Sequence, residues 1–120
     1  MRIQILADET WSPEGHPEVV ITYGALTRQQ FTQQIALQFK AQEDLVREFN
    51  WWEFILRHGI RSVDGLEIQR GEKIEQVKAD IEIGPYGERL TDESWNNIVP
   101  FLHGEIPTIA FNILQHSRVA

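Results

Sequence analysis

Two short stretches of the chain define where helices begin. "ALTRQQF" at residues 25–31 and "RLTDESW" at residues 89–95 each place a Leu before a Thr and an aromatic residue four positions after it. A Thr at the N-cap accepts a hydrogen bond from the first helical turn, and the flanking Leu and aromatic form a hydrophobic staple. Gln30 also completes a capping box in the first stretch. The sequence therefore predicts helices that start after Thr27 and after Thr91.

The residues that follow the first start have two apolar periods. Phe31, Ile35 and Phe39 recur at a spacing of four, so we expect them on one buried helical face. A second helical period runs over residues 45–56, and Gly59 offers a stop. We expect a break or bend near residues 41–43, with one long helix over 28–58 as the alternative. The outward face of the first helix is predicted to hold four glutamines, Gln29, Gln33, Gln34 and Gln38.

Short β-rich runs lie at the amino terminus and in the middle of the chain. "IQIL" (3–6) and "VVITY" (19–23) are predicted strands that could pair as a hairpin across a loop at 7–18. Asp64-Gly65 predicts a second hairpin. The type I′ turn of a tight hairpin needs positive φ at both central residues, and an Asp-Gly pair accepts this conformation readily. Residues 72–83 fit a helix or a strand, and we favour a helix start that becomes extended. "GPYGE" (84–88) predicts a turn.

The carboxyl-terminal third is predicted to be helical. Pro100 should end or kink the third helix near Val99, because proline lacks the backbone donor. Pro107 suits the first turn of a final helix over residues 107–116. The predicted fold is α+β in a single domain spanning 1–120. It has a short N-terminal β-hairpin or small sheet, and a mainly helical remainder of four to five helices with a second short hairpin.

Composition excludes several classes of protein. The chain has no cysteine, which removes disulfides and thiolate sites and fits a reducing compartment. Its net charge is −7 and no basic stripe is present, which argues against nucleic-acid binding. No apolar run approaches the roughly 20 residues needed to cross a bilayer. We therefore expect a cytoplasmic protein that binds neither nucleic acid nor membrane.

Two aromatic segments are the candidate binding residues. Trp51-Trp52 lies in a segment that is apolar nearly all round, which is typical of a core helix but also of a partner anchor. The carboxyl-terminal segment, residues 94–117, has few charges, and its apolar residues cannot all face one side of a helix. We expect it to pack inside the monomer or against another subunit. The predicted partner-binding residues are Trp51, Trp52, Phe54, Phe101, Phe111 and Leu114.

No residue constellation predicts catalysis, a cofactor or a metal site. The four histidines form no pair at helical spacing, and those at positions 58 and 103 are interpreted as helix-end residues. The glycines match no phosphate-binding loop. The loop that holds Asp8, Glu9, Trp11 and His16 is the one place where an acid/base pair could be hidden. The sequence predicts a protein that is not an enzyme.

Two longer stretches carry a family resemblance. "WWEFILRHGIRSVDGLEI" and "LTDESWNNIVPFLHGEIPTIAFNIL" resemble the tail assembly chaperones of long-tailed bacteriophages, over about residues 45–115. The resemblance implies an α+β domain that forms a homo-oligomer and coats the tape-measure protein, and it brings no catalytic residues. The alternatives are a small phage or bacterial regulator or inhibitor that binds one protein partner, and a structural subunit of the virion.

Overall fold

The computed structural model describes residues 7–119 and confirms the predicted α+β class. Its elements are β1 (Glu9–Trp11), β2 (Val20–Tyr23), α1 (Arg28–Lys40), α2 (Leu45–Gly59), β3 (Ile60–Asp64), β4 (Glu67–Arg70), β5 (Lys73–Gln76), β6 (Ile81–Gly84), β7 (Gly87–Leu90), α3 (Asp92–Leu102) and α4 (Ile106–Val119). A 3₁₀ turn at His103–Glu105 joins α3 to α4 without a loop. If α3, this turn and α4 are counted as one stretch, the described part has three helical segments rather than the four to five helices predicted.

Three small antiparallel sheets account for the strands of the described region, in the orders β1-β2-β3, β4-β5 and β6-β7. β1 lies inside the segment predicted as a loop, and it pairs with β2 so that Glu9 faces Tyr23 and Trp11 faces Ile21. The strand predicted at residues 3–6 lies outside the described residues. The three-residue β1 was missed because its order comes from pairing with β2 rather than from its own residues.

The hairpin predicted at Asp64-Gly65 is wrong. β3 pairs with β2, placing Val63 opposite Ile21, whereas β4 pairs with β5. The turn therefore leads the chain out of one sheet into another. Gly65 has φ +79°, and a Cβ atom there would lie 2.0 Å from the Glu18 carbonyl oxygen. The glycine is needed for this close approach of two backbones.

The helix start predicted at residues 72–83 is also wrong, because this region forms β5 and β6. Its apolar side chains do not meet a core at helical spacing: Ile74 and Ile83 are exposed. Two tight turns fix the strand registers instead. One closes between Arg70 and Lys73, and the other is the predicted turn at 84–88, which is confirmed. Local turn geometry thus overrides a weak helical period.

Helix α1 begins as predicted but is rotated relative to the prediction. The Thr27 hydroxyl accepts from the Gln30 N–H at 3.2 Å, and the Gln30 side-chain oxygen accepts from the Thr27 N–H at 2.9 Å. However, Gln30 and Gln34 are the buried residues of α1, whereas Ile35 and Phe39 are exposed. Buried amides are tolerated only when they are hydrogen-bonded. The expectation of an apolar inner face is therefore wrong for Ile35 and Phe39, and the expectation of a glutamine outer face is wrong for Gln34. Phe31 packs against the core, and Gln29 and Gln38 are exposed, as expected.

The partners of the two buried glutamines explain this orientation. The Gln30 amide nitrogen donates to the Tyr86 carbonyl at 2.9 Å, in the turn between β6 and β7. The Gln34 side-chain oxygen accepts from the Trp51 indole N–H at 2.9 Å, on α2. These bonds tie α1 to two different neighbours. Satisfied polar contacts therefore decide which face of α1 points inward.

Helices α2, α3 and α4 build the core with the inner faces of the strands. The predicted break near residues 41–43 is confirmed, since α1 ends at Lys40 and α2 begins at Leu45. Helix α2 ends at Gly59, as predicted, although Gly59 is its last helical residue rather than the residue beyond the cap, and a Cβ atom there would lie 2.6 Å from the Ile113 side chain. Its role is to let α2 and α4 approach closely. The largest fully enclosed apolar side chains are Ile21, Ile55, Leu56, Ile60, Leu90, Ile98, Leu102, Ile109 and Ile113.

Helix α3 starts as predicted and ends later than predicted. The Thr91 hydroxyl accepts from the Ser94 N–H at 3.2 Å. The Ser94 hydroxyl does not reciprocate but donates to the Lys78 carbonyl at 2.8 Å, which fastens the segment before β6. The helix continues through Pro100 to Leu102, so of the two predicted outcomes near Val99, an end or a kink, the end is wrong. Pro100 is exposed, which leaves room for water to bond the carbonyl that lacks a donor.

Candidate protein-binding surface

Apolar side chains are concentrated where α1 turns into α2. Phe39 is 69% exposed, Leu45 81%, Val46 71% and Phe49 42%. The Asp44 carboxylate caps α2 by accepting from the Val46 N–H at 3.0 Å, which fixes the first turn that carries two of these side chains. We call Phe39, Leu45, Val46 and Phe49 the helical tip. Clustered exposure of this kind marks interaction sites more often than scattered exposure does.

An apolar stripe leads from the helical tip towards α4. Leu45, Phe49 and Trp52 are spaced by four and three residues, so they lie on one face of α2. The Trp52 ring meets the Phe111 ring of α4 edge to face, with centroids 5.5 Å apart. Phe111 itself is 59% exposed. The exposed surface of α2 therefore continues onto α4.

A groove beside this stripe is floored by a tryptophan. The centroids of the Trp51 and Trp52 rings lie 4.0 Å apart, and the hydrogen bond that the Trp51 indole N–H donates to Gln34 fixes the indole. The groove encloses about 270 Å³ between α1 and α4. We call it the tryptophan groove. It is lined by Gln34, Gln38, Trp51, Phe111, Leu114, Gln115 and Arg118.

The charges of the two groove walls differ from those of the rest of the chain. Helices α1 and α4 contain Arg28, Lys40 and Arg118 but no Asp or Glu. All 18 acidic residues of this protein, whose net charge is −7, lie elsewhere. Among the residues that line the groove, Arg118 is the one with a charge and the others are neutral, so an acidic ligand meets no carboxylate in the lining.

The structure brings together four of the six predicted partner-binding residues. Trp51 and Leu114 form the base of the tryptophan groove, Phe111 lies on its rim, and Trp52 packs against Phe111. The other two lie elsewhere: the Phe54 ring packs against His58 and Tyr86, and the Phe101 ring against His16. The prediction missed the helical tip, because Leu45, Val46 and Phe49 were read as a continuation of a buried helical period.

The loop predicted as a hidden acid/base site does not bring its three candidates together. The His16 ring nitrogen Nδ1 lies 3.2 Å from Glu18, in an exposed pair. Glu9 instead accepts a hydrogen bond from the Tyr23 hydroxyl at 2.9 Å and lies 3.5 Å from the His116 Nδ1 atom. The Asp8 carboxylate lies next to Gly24, where an added Cβ atom would be 2.6 Å from its Oδ1 atom. The three side chains thus have three separate sets of neighbours.

Glu9, Tyr23 and His116 nevertheless line a small polar cavity of about 310 Å³, together with Asn112 and Gln115. Burial, with help from the bond to Glu9, raises the pKa of Tyr23 to about 12. The second nitrogen of the His116 ring, Nε2, is enclosed and has no hydrogen-bond partner among the described residues. A base that transfers protons to a substrate needs an accessible nitrogen. The arrangement instead suits a structural role, in which Glu9 connects β1 to Tyr23 of β2 and to His116 of α4.

His58 lies in the last turn of α2, as predicted, but its side chain is buried. Its ring packs against the Phe54 ring at 4.1 Å, and its Nδ1 atom lies 2.7 Å from the Phe54 carbonyl oxygen. Burial lowers the pKa of His58, nearby arginines lower it further, and the bond to Phe54 opposes both. The neutral ring is therefore favoured. Across residues 7–119, no group of three or more His, Asp or Glu side chains is arranged to hold a metal ion.

Comparison with known proteins does not place the chain in a family: no family model, no curated protein and no solved structure matches it. Within the described region, none of the helices has the length and apolar character needed to cross a membrane.

Proposed function

We propose that this protein is a non-catalytic binding protein that holds an apolar segment of another protein against the helical tip and the tryptophan groove. One observation carries the proposal: Phe39, Leu45, Val46 and Phe49 are exposed together in a domain that already has a filled core. Exposed side chains of this size weaken solubility unless a partner covers them.

The size of the surface bears on whether it can bind. Fully burying one exposed Leu, Val or Phe side chain contributes roughly 1.5–3 kcal/mol. Scaled by their exposed fractions, the four residues of the helical tip would contribute on the order of 4–8 kcal/mol, against an association cost of about 4–15 kcal/mol. The tip alone is therefore marginal. Phe111 and the tryptophan groove supply the additional contacts, and aromatic anchors are the residues that dominate binding energies.

The shape and charge of the surface indicate the partner. A stripe on α2 beside a groove between two helices suits an amphipathic helix, which places apolar residues at helical spacing into such a groove. Arg118 and the absence of a carboxylate among the groove-lining residues favour a segment with an acidic flank. The resemblance to tail assembly chaperones names one client, the tape-measure protein of a long-tailed phage, bound in the host cytoplasm by a self-associated form of this chain.

The test is co-expression with a candidate tape-measure protein, identified as a long coiled-coil protein encoded by a neighbouring gene, followed by affinity purification. We expect the wild-type chain to hold it in solution and the variant with Leu45→Asp and Phe49→Asp to lose it. Ile83→Asp is the matched control, because Ile83 is 77% exposed on β6, far along the chain from the tip. Binding retained by the double variant, or lost equally in the control, would contradict the proposal.

A further inference from the structure

We propose that two copies of this chain associate by pairing their β5 strands edge to edge, so that two hairpins form one four-stranded antiparallel sheet. The proposal rests on the self-association included in the proposed function and specifies its interface. It concerns the hairpin of residues 67–76, which we call the arm. The helical tip has no part in it.

The arm is anchored at its base and through β4, where Ile68 packs against the core and Arg70 donates to the Asn97 side chain at 2.8 Å, whereas β5 is exposed. Leu66 and Val77 are buried at the base, where the Val77 N–H donates to the Leu66 carbonyl at 2.8 Å. Beyond them, all four residues of β5 are exposed, and Ile74 is 66% exposed. A two-stranded hairpin is marginally stable by itself, and additional strands are the usual remedy. Among residues 7–119, no strand pairs with the edge of β5 that faces away from β4, so this edge is available for pairing.

The backbone of β5 is oriented for such pairing. The loop between β4 and β5 has two residues, and Arg70 and Lys73 close it. The residues that close a tight turn bond to each other, so the backbone groups of Lys73 point towards β4. Hydrogen-bonding direction alternates along a strand, so the groups of Ile74 and Gln76 point to the free edge. If β5 of a second copy lies antiparallel along this edge with its Ile74 opposite Ile74 of the first, the two Ile74 residues exchange both N–H···O=C hydrogen bonds.

The side chains of β5 select this register. Centring the pair on Ile74 places Ile74 opposite its own copy and Lys73 opposite Glu75 of the second copy, twice by symmetry. Centring it on Lys73 or on Glu75 instead places like charges opposite each other. Directly opposed unlike charges stabilise a pair of strands, and like charges destabilise it. Charges on an edge strand usually prevent pairing, but here their alternating sign makes the edge complementary to itself.

Charge reversal tests the register. Sedimentation equilibrium at low salt should show a wild-type dimer that is weakened roughly tenfold or more in Lys73→Glu and in Glu75→Lys, since each variant opposes like charges twice. Mixing the two variants should restore a heterodimer, and the double variant should restore the homodimer. Lys78→Glu and Glu14→Lys are the charge-matched controls. A monomeric wild-type chain, or single variants that associate like the wild type, would overturn the proposal.

A cross-link gives an independent readout. The chain has no cysteine, so Ile74→Cys introduces a single thiol. Residues of a hydrogen-bonded antiparallel pair have Cα atoms about 5.5 Å apart, within the range that a disulfide spans. Mild oxidation should cross-link Ile74→Cys much faster than Gln69→Cys, its neighbour on β4. Equal rates would count against the register.

The outcomes for the arm and for the client can be separated. The variant with Leu45→Asp and Phe49→Asp should still dimerise, because the arm is unchanged. If this variant becomes monomeric while the arm variants dimerise, self-association runs through the helical tip and the inference fails. If the client is lost while the dimer persists, the arm interface stands, and the client-binding surface is the helical tip.

Discussion

Gln30 provides a sharp test of how α1 is held. It occupies the position of a capping box where Glu is as suitable as Gln, and an acidic residue in the first turn is favoured by the helix dipole. Sequence rules therefore predict that Gln30→Glu is neutral or stabilising. The structure predicts the opposite, because the Gln30 amide nitrogen is buried against the carbonyl oxygens of Tyr86 and Glu88, at 2.9 and 3.4 Å.

The size of the effect follows from those contacts. Gln30→Glu replaces a donor by an oxygen that repels the Tyr86 carbonyl. It removes a hydrogen bond with a net contribution of about 1 kcal/mol and leaves a buried carbonyl unpaired at about 1–3 kcal/mol. We expect a loss of roughly 3 kcal/mol in the free energy of unfolding at pH 7. Part of the loss should be recovered at low pH, where the protonated carboxyl can donate to the carbonyl.

Urea denaturation followed by tryptophan fluorescence measures this loss. The matched control is Gln29→Glu, one position earlier in the same helical turn and exposed, which should change the unfolding free energy by less than about 0.5 kcal/mol. If Gln30→Glu proves as stable as the wild type or as the control, the glutamines do not hold α1 in its observed orientation. The exposure of Phe39 and Ile35 would then lose its explanation.

Three further predictions concern the interior. Gly59→Ala should cost about 1–3 kcal/mol by thermal or urea unfolding, because its methyl group would overlap Ile113, whereas Gly104→Ala meets no neighbour and should cost little. The pKa of His58 is lowered in the fold from 6.5, the value of an unfolded histidine. The contribution of His58 to the free energy of unfolding should therefore be complete above pH 6.5 and decline as the pH falls below it. His58→Phe should flatten that decline between pH 7 and 5 in denaturation series. The pKa of Tyr23 is raised to about 12 in the fold, so the contribution of Tyr23 to the free energy of unfolding should be complete below pH 10 and lost as the pH rises towards 12. Tyr23→Phe should abolish this loss in the same denaturation series.

Local signals predicted the features that local chemistry determines. The N-caps at Thr27 and Thr91 were readable because capping depends on residues within one helical turn. The helix break before Leu45 and the turn at 84–88 were readable for the same reason. The α+β class followed from the presence of both kinds of signal.

Features that depend on distant partners could not be predicted. The face of α1 that points inward is decided by Tyr86 and Trp51, which lie 56 and 17 residues away from their glutamine partners. The pairing of β3 with β2 and the assignment of Gly59 to a helix crossing are likewise long-range. Propensity describes none of these contacts, because tertiary packing overrides it.

The candidate surface was predicted in part for the same reason. The aromatic residues of α2 and α4 were found by composition, and Trp51, Trp52, Phe111 and Leu114 do gather. The helical tip was missed because a helical apolar period looks identical whether or not a neighbour covers it. Whether the apolar face of α2 is buried depends on how far α4 extends beside it, and no local sequence pattern predicts that extent.

Hydrogen exchange with and without the tape-measure protein tests the central claim most directly. The account predicts that binding slows amide exchange over residues 39–52 and around Phe111, and leaves β2 unchanged. Slowed exchange confined to the polar cavity around Glu9 and Tyr23, with the helical tip unaffected, would contradict it.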